Sequence, residues 1–155
     1  MSTDPALGIR PRRPRAVPLE RVAERFALVS ADQFSGLEAT GVALSTRDVV
    51  AGDLYIGVPG ARRHGAEFAE RARESGAVAL LTDAAGAEIA ADVDLPVLVT
   101  NDPVREILGE VAAFVFGTDD FSALTFGVTG TNGKTSVVYL LDVLLRAAGL
   151  KTGLS

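Results

Sequence analysis

At 155 residues the chain has room for one full domain and part of another, and 48% hydrophobic content is enough for a buried core. With no cysteine and one histidine, His64, it excludes disulfide frameworks, thiolate metal sites and histidine clusters, and no apolar run is long enough to span a membrane. The charge is uneven: four arginines against one aspartate leave Met1–Pro18 at +3, so the rest of the −5 chain carries −8, which argues against a nucleic-acid-binding body. Residues 1–18 intersperse Pro5, Pro11, Pro14 and Pro18 with Arg10, Arg12, Arg13 and Arg15. They predict a disordered, solvated basic tail without the apolar region of a secretory signal. From Leu19 to Gly117 the pattern is that of one α/β domain. Val42–Leu44, Leu54–Val58, Ala77–Leu81 and Pro96–Val99 are apolar runs of strand length. Ala66–Glu74 is helical in pattern and ends near Gly76. A second helix starts with Asp102 as N-cap and Pro103 at the first turn; Val104, Ile107, Leu108, Val111, Ala112 and Val115 share one of its faces. Strands alternating with helices predict a layered, largely parallel sheet. The polar segment 118–123 reads as a linker.

The stretch from Gly127 to Ser136 carries the most chemistry. An apolar run, Leu124–Val128, enters it like a buried strand, and an apolar-rich helix from about Thr135 to Ala148 leaves it. Strand, glycine loop ending Gly-Lys-Thr and helix together make the architecture of a phosphate-binding loop. Gly130 and Gly133 let the backbone turn its N–H groups toward an anion, and the helix N-terminus adds open donors. Lys134 would place a charge on the β- and γ-phosphates, and Thr135 would offer its hydroxyl to Mg²⁺. The general eight-position pattern is imperfect, because its first glycine falls on Val128. The plain alternative is a glycine turn that merely starts a helix.

Gly130-Thr131-Asn132-Gly133-Lys134-Thr135 resembles the loop of the Mur ligase family, the ATP-dependent ligases that build the peptidoglycan stem peptide; the family's second threonine is here Ser136. A separate set of residues agrees: Leu44-Ser45-Thr46-Arg47, Ala51-Gly52-Asp53-Leu54-Tyr55-Ile56, Pro59-Gly60 and His64-Gly65 resemble the family's first domain. The resemblance implies a Rossmann-like, UDP-binding α/β domain over 19–117. The start of a P-loop ATPase-type central domain then follows over 124–155, cut short after strand, loop and helix. It implies ATP contacts at Gly130, Thr131, Asn132, Gly133, Lys134, Thr135 and Ser136, with Lys134 catalytic and Thr135 toward the metal. It also implies uridine contacts at Leu44 and Thr46, with further contacts from Ala61, Arg62 and Arg63. Ser45 replaces the family's aspartate and Thr46 its serine. Arg62 and Arg63 read equally as diphosphate partners or as a solvated pair. Arg47 reads as a loop anchor, and His64 as a residue that orders backbone.

The activity implied is attachment of an amino acid to UDP-MurNAc-L-Ala-D-Glu in the bacterial cytoplasm, by a monomer using ATP and Mg²⁺. ATP would convert the terminal carboxylate to an acyl phosphate, which the incoming amine attacks. The wording of the motifs favours the member that adds the third stem residue. The member that adds D-alanyl-D-alanine, and an unrelated P-loop protein, are the alternatives. The family's remaining metal and amino-acid sites fall beyond Ser155, so the chain alone is expected to be inactive.

Overall fold

A computed structural model describes residues 10–11, 13–30, 34–120, 122 and 124–154. The chain divides into two units, Met1–Phe121 and Ser122–Ser155, each taken here by itself.

The first unit is built on a five-stranded sheet. Its strands are β2 (Val29–Ser30), β4 (Gly41–Ala43), β5 (Asp53–Ile56), β6 (Ala79–Thr82) and β7 (Val97–Val99), in the order β2-β7-β6-β5-β4. β4 through β7 run parallel, and β2 closes the far edge antiparallel, pairing Val29 with Val99. A short ribbon of β1 (Val17–Pro18) and β3 (Glu38–Ala39) stands apart from the sheet. The helices are α1 (Leu19–Arg25), a 3₁₀ turn (Gly65–Phe68) running into α2 (Ala69–Glu74), α3 (Ala84–Ile89) and α4 (Val104–Phe116).

Strand alternation explains why the central strands are apolar throughout. Leu54, Ile56, Ala79 and Leu81 enter one core with Val22, Val104, Val111 and Val115, from α1 and α4. Tyr55 and Leu80, one residue out of phase, enter a second core with Ala66, Ala69 and Ala72. Helices thus cover both faces of a mostly parallel sheet, the Rossmann-like layering anticipated from the sequence. Fully burying a side chain such as Leu81 contributes about 1.5–3 kcal/mol.

Several expectations need correction. Residues 1–9 and Arg12 of the anticipated tail lie outside the described residues. Within the rest, Val17 is buried in strand β1 and Arg10 makes a bidentate ion pair with buried Asp53, at 2.6 and 2.7 Å. Proline and charge content did not reveal this, because the partner lies 43 residues away. Leu44 falls just past β4 and is exposed, since the Ser45–Arg47 turn begins there. Helix α4 starts one residue later than anticipated, with Pro103 as N-cap and no side-chain cap. Thr100 Oγ1 instead accepts the Asp102 N–H. Its other end is glycine-capped: Gly117 is left-handed (φ 64°), and Thr118 N–H reaches Ala113 O.

Among its described residues the second unit holds one helix, α5 (Lys134–Ala147). The strand anticipated over 124–128 does not form among the described residues; Leu124 is 83% exposed and Phe126 53%. A strand needs a ladder partner, and there is none among the described residues of this unit. Asp142 ties the end of α5 to the segment after it, accepting from Arg146 Nε at 2.9 Å and from the Thr152 hydroxyl.

Candidate functional site

Two loops meet beyond the carboxyl ends of neighbouring parallel strands β4 and β5, where open α/β sheets bind ligands. The β4 loop is Leu44–Arg47, in which Ser45 Oγ accepts the Arg47 N–H at 3.3 Å. The β5 loop runs from Val58 to Gly65 and closes on itself: Gly60 N–H donates to Arg63 O, and Gly65 N–H to Val58 O. Gly65 is required there, because a Cβ would lie 2.7 Å from the Val58 nitrogen.

His64 fastens the end of this loop. Its N–H donates to Glu67 Oε1 at 2.8 Å, while its Nδ1 accepts from Ala66 N–H at 3.0 Å. The Nδ1 role leaves the ring proton on Nε2, 3.1 Å from Asp83 Oδ1, and that oxygen also accepts Gly86 N–H at the start of α3. The backbone-ordering reading of His64 matches this geometry. Glu67 Oε2 accepts from Arg63 Nε, and the Arg63 guanidinium lies 4.6 Å above the Phe68 ring. The Glu67 carboxyl is held below its ordinary value, first by Arg63 and then by the His64 N–H. Arg105 reaches from α4 to Pro59 O.

Between the two loops lies a hollow of about 370 Å³, lined by Leu44, Thr46, Arg63 and Phe68 among others. Of the anticipated uridine-site residues, Leu44, Thr46 and Arg63 are thereby brought together. Ala61 and Arg62 belong to the same β5 loop but do not line the hollow. Four lining residues had been given no site role from the sequence: Val58, Tyr55, Phe68 and Arg71. Phe68 and Arg71 follow Gly65 at three-residue spacing, the helical signal that could have found them. Tyr55 sits inside a strand and carried no such signal. Its hydroxyl donates to Gly65 O at 2.9 Å, and burial raises its pKa. A second hollow, of about 510 Å³ over α1, is lined by Glu20 and Glu24, acids that disfavour a phosphate ligand.

In the other unit, residues 130–133 form a loop that feeds α5. Gly133 is left-handed (φ 79°) at the N-cap, a conformation natural to glycine. The first bond into the helix runs from Val137 N–H to Gly133 O, which leaves the 134–136 amides as the open donors of the helix start. Lys134 Nζ donates to Gly130 O at 2.6 Å, so its ammonium lies against the loop. Gly130 through Ser136 are exposed. Open amides, an ammonium and the hydroxyls of Thr135 and Ser136 suit a polyphosphate. For a divalent cation, Thr135 supplies one neutral oxygen. Among the described residues no group of three acid or histidine side chains gathers, so phosphate oxygens would complete such a site.

Comparison with known proteins identifies the family. The family described as "Mur ligase family, catalytic domain" matches residues 38–115, half of the chain and all of it before the glycine loop. A UDP-N-acetylmuramyl-tripeptide synthetase from Leifsonia xyli is 51% identical over 148 residues, covering 96% of this chain and 29% of that protein. A UDP-N-acetylmuramoyl-L-alanyl-D-glutamate–2,6-diaminopimelate ligase from Streptomyces coelicolor is 46% identical over 139 residues, covering 90% of this chain and 27% of its own. The chain therefore spans under a third of the length of these curated relatives. Among solved structures, MurF from Acinetobacter baumannii superposes with a TM-score of 0.54 at 19% identity, over 65% of this chain and 21% of that one, a likeness of fold.

Proposed function

Since the chain belongs to the Mur ligase family, we propose that it is the part of a peptidoglycan-precursor ligase that holds the UDP end of the substrate and the phosphates of ATP. The reaction is the joining of a diamino acid to UDP-MurNAc-L-Ala-D-Glu, in the bacterial cytoplasm. The observation that carries this reading is the hollow beyond β4 and β5, where Leu44, Thr46 and Arg63 converge from the loops that follow these two strands. Its apolar and aromatic lining suits a pyrimidine nucleoside, and its hydroxyl and guanidinium groups suit ribose and phosphate. The name of the Streptomyces coelicolor relative supports a diamino acid over D-alanyl-D-alanine as the group added, and that of the Leifsonia xyli relative supports addition of the third residue.

The chemistry follows from the charges involved. A carboxylate is a poor acyl donor, so it is first converted to an acyl phosphate by ATP; an amine then displaces phosphate and forms the amide. In the glycine loop, the 134–136 amides and the Lys134 ammonium hold the transferring phosphates and offset their charge. The Thr135 hydroxyl would supply one ligand to Mg²⁺, which would neutralise phosphate charge further. No helix among the described residues is long and apolar enough to cross a membrane.

The test separates the two sites. In the complete ligase, Lys134→Ala is expected to lower ATP-dependent phosphate release by about 10²–10³-fold. Calorimetry with the UDP substrate alone should show its affinity unchanged. Equal loss at both readouts would mean that one composite site, and not two, has been found. The 155-residue chain by itself should release no phosphate above a blank.

A further inference from the structure

Three guanidinium groups border the hollow beyond β4 and β5, those of Arg47, Arg63 and Arg71, and no carboxylate lines it. They are not equivalent. Arg63 is committed: both Nε and Nη2 face Glu67, and its plane lies over Phe68. Arg71 stands one helical turn after Glu67, the position from which an i,i+4 ion pair would ordinarily form. That carboxylate is already used, by Arg63 through Oε2 and by the His64 N–H through Oε1. The acid in the first turn of α2, Glu70, is taken by Arg73 through two contacts of 2.6 and 3.1 Å. Among the described residues, Arg71 and Arg47 have no ion-pair partner. An unneutralised pair of cations beside an apolar hollow free of acids is a site of positive potential.

We propose that Arg71, together with Arg47, receives the diphosphate of the nucleotide, and that Arg63 instead holds the β5 loop in shape. The inference rests on the reading of this hollow as a uridine nucleotide site. It reassigns the charge anticipated at Arg62 and Arg63 to a helix residue and to a β4-loop residue. Guanidinium forks suit this role because they donate two parallel hydrogen bonds to phosphate oxygens.

The experiment titrates the 155-residue chain with UDP and with uridine, in a Lys134→Ala background so that the glycine loop does not take the diphosphate. Backbone amide NMR shifts provide both the affinity and the place of binding. The parent should bind UDP more tightly than uridine. Arg71→Gln should narrow that ratio about tenfold while leaving uridine affinity and the ligand-free spectrum unchanged. Arg71→Lys should fall between. Arg63→Gln should weaken both ligands alike, because it loosens the loop. An unchanged UDP-to-uridine ratio in Arg71→Gln, with Thr46→Val still weakening both ligands, overturns the charge assignment and leaves the nucleotide site standing. If neither ligand shifts residues 44–47 and 63–71 of the parent, the nucleotide reading itself falls, and this inference with it.

Discussion

Strands β5 and β6 and helix α5 are all rich in large apolar side chains, yet the two units treat them oppositely. Leu54, Tyr55, Ile56, Leu80 and Leu81 are no more than 2% exposed, because helices cover both faces of the sheet. Tyr139, Leu140, Val143 and Leu144 are 60–62% exposed, on a helix that has no sheet beside it among the described residues of its own unit. The same kind of residue therefore stabilises the first unit and leaves apolar surface on the second. Burial, and not hydrophobicity as such, yields the free energy.

The sharpest test of that contrast is a pair of truncations. Leu81→Ala should cost about 3–4 kcal/mol of unfolding free energy in urea, and Leu144→Ala no more than about 0.5. Similar costs would mean that α5 is buried in solution. Next is the pair at the chain start. Asp53 is fully buried and Arg10 16% exposed, so Arg10→Ala leaves a buried carboxylate without its cation and should cost about 3 kcal/mol. Arg13→Ala, at an exposed position, should stay within about 0.5 kcal/mol. A null result at Arg10 would return that residue to the solvated tail first read from the sequence.

Association provides a third test. A chain ending at Gly117 should remain monomeric in light scattering, whereas the 155-residue chain should self-associate or bind a hydrophobic dye. A monomeric, dye-silent longer chain would show that the apolar face of α5 is covered. The smallest expected effect is a pH response in the loop. The Glu67 carboxyl is depressed by Arg63 and by the His64 N–H, so its contribution is present above the ordinary glutamate range. That contribution is lost only as pH falls through the lowered value. The His64 backbone amide, followed by NMR, should titrate below the ordinary glutamate range. An inflection at or above that range would mean the loop is not closed by this contact.

What the sequence determined by itself is local. Apolar runs located β5, β6 and β7 to within a residue or two, and helical spacing located the buried face of α4. Gly76 marked the end of α2, and Gly-Lys-Thr marked where α5 begins. Each of these depends on neighbours a few residues away, through side-chain alternation, helical period or a glycine's left-handed backbone. The two-residue strands β1, β2 and β3 were not legible, because their partners, not their composition, make them strands. Leu124–Val128 failed in the opposite sense: it has the composition of a strand and no ladder to join. Leu44 and Thr46 could be named from a motif. That Arg63 is spent on Glu67 while Arg71 and Arg47 border the hollow unpaired was decided only in three dimensions. Arg63 and Arg71 both stand four residues from Glu67, so spacing allows either pair, and how the turn, the 3₁₀ segment and the helix are laid against one another decides which one forms.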